Sequence, residues 1–284
     1  MTSLQAHREF YAQVIAGGVG CTDPRLIDAF ASIERERFIG RGPWLVAAGE
    51  YVRTPTDDPV ILYQDIVVAI APERGINNGQ PSLHAQCLAA CAIVEGETVI
   101  HVGAGTGYYT AILAKLVGDS GAVIAYEVER DIAKRAETLL SAAPNVTVVC
   151  GSADNELALP KADVVYVNAG ASHPLEAWLD ALGDHGRLLF PLTPPDGFGG
   201  MVCVTRVGPT SYRASVLMRA SFMPCRGARD DVCAAAVDAA FESGSFQRVK
   251  SLRRHSKPDS TAWCAGVGWW LSTSEPVESN NNVG

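Results

Sequence analysis

The sequence predicts an α/β protein built on a doubly wound, Rossmann-like sheet, with a helical N-terminal cap and a C-terminal α+β extension. Three observations carry this. Between residues 98 and 191, short apolar, β-branched runs alternate with helix-length segments, the pattern of a parallel sheet covered on both faces. The first of those runs, Val99-Ile-His-Val102, ends in glycines at 103, 105 and 107, a strand turning sharply into a helix. After Pro191 the texture changes to paired strands with turn residues between them, which fits an antiparallel edge.

Taken in order, Leu4–Ala16 and Asp23–Arg37 read as two helices, with Thr22 or Asp23 as N-cap. From Gly42 to Gly79 the chain is rich in Pro, Gly and Asp, and loops with short strands are expected. Pro81 opens a helix to Val94, because proline suits the first helical turn. Strands at 98–102, 122–126, 146–150, 163–167 and 187–191 and helices at 108–117, 131–142 and 174–182 follow. Strands at 201–207 and 212–222 turn at Gly208-Pro209. A helix at 229–242 precedes a second strand pair, 246–252 with 262–271, and Thr273–Gly284 reads as a disordered tail. The expected division is 1–62 as cap and loop, 63–226 as core and 227–284 as extension.

Composition narrows the partners. The chain has 284 residues, is 48% hydrophobic and 19% charged, and carries a net charge of −8. That balance supports a substantial core and argues against a nucleic-acid backbone as partner, since no basic block offsets it. The short cluster Lys250-Ser-Leu-Arg253-Arg254 reads as a solvated face. None of the 8 cysteines forms C-x-x-C, and Cys87 and Cys91 lack further ligands for a metal, so buried thiols are expected and no metal. The N-terminus has no apolar signal core and no apolar run reaches membrane-spanning length. A reduced, cytoplasmic protein without a membrane partner is the expectation; the oligomeric state stays open.

The glycine spacing sets the ligand class. A dinucleotide fingerprint would place its third glycine at 108, which is Tyr108. Gly103-Ala-Gly105-Thr-Gly107 instead has the G-x-G-x-G form usual for S-adenosylmethionine (SAM), with bare backbone N–H groups at a helix N-terminus. Twenty residues on, the strand 122–126 delivers Glu127, whose carboxylate can accept hydrogen bonds from both ribose hydroxyls.

From about residue 63 to 226 the chain resembles the protein-L-isoaspartate O-methyltransferases. The likeness is carried by Tyr63-Gln-Asp65, Asn77-Asn78-Gly79-Gln80-Pro81, His84, Val102-Gly-Ala-Gly-Thr-Gly-Tyr-Tyr-Thr110, Asn168-Ala-Gly-Ala171 and Gly186-Arg-Leu-Leu-Phe-Pro-Leu192. The resemblance implies a SAM-dependent methyltransferase sheet and transfer of a methyl group to a side-chain carboxylate. It implies cofactor contacts at His84, His101, Gly103, Ala104, Gly105, Thr106, Gly107, Glu127, Val128, Ser152, Ala153 and Asn168. Asn77, Asn78, Gly79 and Gln80 stand at the substrate loop. The chain departs from the family's pattern at Gly79, where repair enzymes carry serine. It departs again at His101, where an acid is usual, and at Gly151-Ser152-Ala153, where the family has Gly-Asp-Gly and Asp154 is displaced by two.

An already anionic nucleophile needs alignment and a dry site more than a strong base, which accounts for the lack of a catalytic constellation. The expected substrate is an aspartyl or isoaspartyl group of a peptide or protein, and a peptide-tailoring role fits the altered loop and the added C-terminus. A small-molecule O- or N-methyltransferase and a SAM-binding, non-catalytic interaction module are the alternatives.

Overall fold

The computed structural model describes residues 3–154, 156 and 158–276. In chain order the elements are α1 (Leu4–Ala12), α2 (Pro24–Ser32), α3 (Arg35–Ile39), β1 (Leu45–Ala48), β2 (Glu50–Arg53), β3 (Ala69–Ala71), β4 (Ile76–Asn77), α4 (Pro81–Cys91), β5 (Thr98–Val102), α5 (Tyr108–Val117), β6 (Ala122–Glu127) and α6 (Arg130–Leu140). They continue with β7 (Val146–Cys150), β8 (Ala162–Val167), α7 (Glu176–Ala181), β9 (Leu182–Leu192), β10 (Gly199–Arg206), β11 (Tyr212–Ala220), α8 (Asp231–Ser243), β12 (Ser251–Arg254), β13 (Ala262–Gly266) and β14 (Trp269–Ser272). The chain divides into two compact units, 1–97 with 104–151 and 98–103 with 152–284.

In the first unit, β6 and β7 pair in parallel, Val123 opposite Val146 through Glu127 opposite Cys150. The N-terminal helices form around aromatic side chains. Tyr108, the first residue of α5, lies edge-on to Phe30 of α2 and tilted against Phe38 of α3. Tyr11 meets Phe30 and Tyr63 edge-on, the arrangement the ring quadrupoles favour. A glycine at 108 would remove this anchor.

Beneath the rings Arg35 is fully buried. Its guanidinium donates to the carbonyls of Leu62, Gln64 (3.0 Å) and Ile66 (2.6 Å). A rigid fork of donors can satisfy three carbonyls of one irregular segment at once. Ile39, Trp44, Leu62 and Val68 form a small core behind that segment.

In the second unit the strands run side by side in the order β13-β14-β12-β11-β10-β9-β8-β5. β5, β8 and β9 are parallel; β10, β11, β12, β14 and β13 continue antiparallel. The unit is thus a large mixed sheet, its parallel strands buried as their apolar runs require.

Several boundaries differ from the sequence reading, each for a local reason. The first expected helix loosens after Ala12 into a π-turn at Gln13–Gly17. The second breaks at Ile33 and Glu34, which take extended backbone, so Asp23–Arg37 becomes α2 and α3. The stretch 262–271 is a hairpin rather than one strand, because Gly268 turns it with a φ of 78°. Its partner in 246–252 begins only at Ser251, after a 3₁₀ turn at Phe246–Arg248. The expected tail is ordered at its start. Thr273 N–H donates to Thr261 O, and Lys250 pairs with Glu275 at 2.9 Å. Residues 277–284 lie outside the described residues.

Among the described residues there is no group of side chains that could hold a metal ion, and no helix long and apolar enough to cross a membrane. All 8 cysteines lie among the described residues, and none of them is in a disulfide.

Candidate active site

The glycine loop leaves β5 and reaches α5 through three residues with positive φ: Gly103 at 74°, Gly105 at 56° and Gly107 at 96°. A Cβ at Gly105 would meet nothing within 4 Å, whereas one at Gly107 would lie 2.7 Å from Leu140 Cδ1. Gly107 is therefore required for packing and for its left-handed cap geometry. Gly105 leaves open space beside bare backbone. Ala104 N–H donates to Tyr126 O at 3.0 Å, fixing the loop on the end of β6, and Thr106 is buried.

Glu127 closes the loop. Its Oε2 accepts from Gly105 N–H at 2.8 Å and its Oε1 from Glu129 N–H at 2.9 Å. The residue is only 7% exposed. Burial pushes its carboxyl above the usual range, and the N–H bonds from Glu129 and Gly105 pull it back. Each carboxylate oxygen retains a second lone pair, enough for two ribose hydroxyls. Val128 follows, half-buried. These residues fit a nucleoside with an open cis-diol.

The substrate-loop residues divide in their roles. Asn77 makes a turn: its Oδ1 accepts from Gly79 N–H at 2.9 Å. Asn78 is buried, its Oδ1 accepting from Val68 N–H at 2.8 Å and its backbone N–H donating to Val68 O. Its Nδ2 is buried with no partner. Gln80 donates to Asp65 Oδ2 at 2.8 Å. Asp65 also accepts from Ser82 N–H at 2.8 Å and Ser82 Oγ–H at 2.6 Å. It caps α4 from a distant segment, a role the Tyr-x-Asp likeness did not disclose. Only backbone geometry brings residues 65 and 82 together.

His84 lies under this loop, buried and stacked on Tyr109 with ring centroids 3.7 Å apart at 21°. A Cβ at Gly79, whose φ is 71°, would fall 2.1 Å from His84 Nε2. The imidazole thus fills the space a side chain at 79 would need.

In the second unit, His101, the next-to-last residue of β5, has no exposure. Its Nε2 lies 2.7 Å from Asn168 Nδ2, and its ring stacks on Tyr166. Burial holds its pKa at about 3, so the ring is neutral. Gly103 is packed against Asn168, with a would-be Cβ 3.4 Å from the Asn168 carbonyl. Asn168 N–H in turn donates to Val102 O at 2.8 Å.

Ser152 Oγ donates to Arg226 O at 3.4 Å, and Ala153 O accepts from Trp178 Nε1 at 2.6 Å. Asp154 Oδ1 accepts from Glu156 N–H, and the carboxylate lies beside Gly227. No local pattern in 222–230 signals that this segment runs as a strap past these residues. Gly170 N–H donates to Met223 O, Cys225 N–H to Gly170 O and Ser172 N–H to Ala228 O. Arg229 Nη1 pins the strap to Thr193 O at 3.0 Å.

A parallel sheet, a glycine loop after its first strand and an acid after the next define the SAM-dependent methyltransferase class. The solved structures agree on the fold. One described as a protein-L-isoaspartate O-methyltransferase superposes with a TM-score of 0.65 at 23% identity, covering 83% of this chain and 69% of its own. A Plasmodium falciparum structure described as an isoaspartate O-methyltransferase in complex with S-adenosyl-L-homocysteine gives 0.62 at 19% identity, covering 78% and 98%.

Residues 5–230 match the family described as Protein-L-isoaspartate(D-aspartate) O-methyltransferase (PCMT), and the chain belongs to that family. A Methylorubrum populi protein-L-isoaspartate O-methyltransferase is 31% identical over 79% of this chain and 96% of its own length. The Thermotoga maritima relative of the same description is 32% identical, over 58% of this chain and 49% of its own.

Proposed function

We propose that this protein is a SAM-dependent O-methyltransferase acting on a side-chain carboxylate, an aspartyl or isoaspartyl group of a peptide or protein. The observation that carries the cofactor half is the double N–H grip on Glu127, with open space beside Gly105. Family membership supports the carboxylate half. Bound SAM would supply the electrophilic methyl group.

The chain's own residues then have limited chemical tasks. Gly105 leaves open space beside the loop, Ala104, Thr106 and Gly107 carry cofactor assignments from the sequence register, and Glu127 with Val128 takes the ribose. His101, Gly103, Ser152, Ala153 and Asn168 carry the remaining cofactor assignments from the sequence register. His84 shapes the floor of the substrate loop, while Asn77, Gln80 and Asp65 hold its form. Of the loop side chains, Asn78 has the unspent donor, suited to a carboxylate oxygen. The acceptor is anionic at neutral pH, so rate comes from alignment. Eight cysteines with no disulfide among them accord with a reducing, cytoplasmic setting.

The test is calorimetry and thermal shift with S-adenosylhomocysteine and NAD, beside methyl transfer to an isoaspartyl hexapeptide. S-adenosylhomocysteine should raise the Tm. Glu127→Ala should weaken its binding about tenfold or more through loss of charge-assisted bonds. A response to NAD alone would overturn the reading.

A further inference from the structure

The hairpin that leads into the substrate loop carries an arginine that reaches the segment beside the ribose acid. β3 and β4 pair antiparallel, Ala69 opposite Asn77, and the turn between them closes at Gly75, whose φ is 72° and whose N–H donates to Pro72 O at 3.1 Å. Arg74 sits in that turn. Its Nη1 donates to Glu129 Oε2 at 2.7 Å and to Asp131 Oδ1 at 2.8 Å, and its Nη2 to Asp131 Oδ2 at 2.8 Å. Its Nε lies 3.3 Å from Glu73 Oε1. Glu129 and Asp131 stand at the start of α6, and a planar fork spread over both fixes orientation as well as charge. Glu129 is tied to the ribose acid in turn. Its N–H donates to Glu127 Oε1 at 2.9 Å, and Glu127 Oε2 accepts from Gly105 N–H at 2.8 Å. An unbroken run of contacts thus joins Arg74, Glu129, Glu127 and Gly105, all within the first unit. Singly, ion pairs as exposed as these contribute little stability; what matters is what they link.

We infer that Arg74 is a positioning residue that docks the substrate-loop hairpin on the segment gripping the ribose, so that cofactor binding and order in the loop favour each other. This rests on the SAM reading above.

The coupling has an electrostatic source and a short mechanical path. Burial pushes the Glu127 carboxyl up, the N–H bonds pull it back, and the charge on Glu129 pushes it up again. With the hairpin docked, the Arg74 cation sits on Glu129 and offsets that repulsion, leaving Glu127 the better anionic acceptor for a cis-diol. With the hairpin away, that offset is lost. A ligand held by Glu127 therefore favours the docked hairpin, and by linkage the docked hairpin favours the ligand. The path runs along the hairpin itself. Ala71 pairs with Ile76 and Ala69 with Asn77, Asn78 N–H donates to Val68 O at 3.0 Å, and Gly79 N–H donates to Asn77 Oδ1 at 2.9 Å. An anchored turn leaves residues 76–79 little freedom.

The experiment follows hydrogen exchange at the Asn78 and Gly79 amides, with and without S-adenosylhomocysteine, in the parent protein, Arg74→Ala and Arg74→Lys. In the parent the ligand should slow both amides about fivefold or more, the lower range of coupling between sites. Arg74→Ala should still bind the ligand in calorimetry, about two- to fivefold more weakly, while its two amides no longer respond. Arg74→Lys keeps the cation without the fork and should recover part of the response. In the unmodified protein the response should shrink as salt rises from about 0.05 to 1 M, because exposed ion pairs are screened; this reading stands even where a variant fails to fold. Amides that respond equally in the parent and Arg74→Ala, or a parent response indifferent to salt, overturn the proposal. If the parent binds S-adenosylhomocysteine with no change at either amide, this inference falls alone; if it does not bind, the SAM reading falls with it.

Discussion

Gly79→Ser, which would restore the residue that repair enzymes carry in the substrate loop, is expected to damage this protein. The new Cβ would lie 2.1 Å from His84 Nε2 and 2.8 Å from its Cδ2. The ring cannot swing aside cheaply, being 2% exposed and stacked on Tyr109. Overpacking of this kind costs about 1–3 kcal/mol. The φ of 71° adds about 1–2 kcal/mol for any residue with a Cβ, and the stiffer unfolded chain returns about 0.4–1 kcal/mol. The net loss is about 2–4 kcal/mol, a large share of a typical domain's stability. Urea unfolding should show this as a lower midpoint at unchanged m, with no gain in methyl transfer to an isoaspartyl hexapeptide. Gly79→Ala should match it, because the clash is at Cβ. Combining Gly79→Ser with His84→Ala should remove the overpacking, a favourable coupling of about 1–3 kcal/mol in a double-mutant cycle. A Gly79→Ser protein as stable as its parent within about 0.5 kcal/mol, or one with increased turnover, would refute the placement of residue 79 over the imidazole.

Other expectations follow from single contacts. Asp65→Ala removes the acceptor of Ser82 N–H, Ser82 Oγ–H and Gln80 Nε2, and should cost about 1–2 kcal/mol as loss of a helix cap, read by thermal unfolding. Arg35→Leu leaves the carbonyls of Leu62, Gln64 and Ile66 without their buried donor; a loss of about 3 kcal/mol or more is expected, and Arg35→Lys should recover only part. His101 titrates near 3 in the folded protein and near 6.5 unfolded, so acid protonates the unfolded chain first. Its contribution is lost as pH falls from about 6.5 toward 3, about 2 kcal/mol by pH 5. His101→Gln should flatten that part of the pH–stability curve, and an unchanged curve would show that the imidazole is not buried neutral.

Much of the architecture was legible because it is written in short-range patterns. Apolar runs without alternation gave the buried parallel strands, and Gly103, Gly105 and Gly107 mark a turn that side chains disfavour. Glu127 was legible for the same reason, being placed by the length of one helix and one strand. The hairpin at Gly268 and the break at Ile33 were misread where local signals compete and packing decides between them.

Tertiary structure alone decided which polar groups meet. Asp65 and Ser82 are seventeen residues apart in number, His101 and Asn168 sixty-seven, and no periodicity relates either pair. The sequence showed Gly79 and His101 as separate departures from a family pattern. Folding shows that the space beside Gly79 is taken by His84, and that His101 is matched by an asparagine. Side-chain periodicity is a property of the local backbone, but steric exclusion and hydrogen-bond pairing belong to residues that only the packed chain makes neighbours.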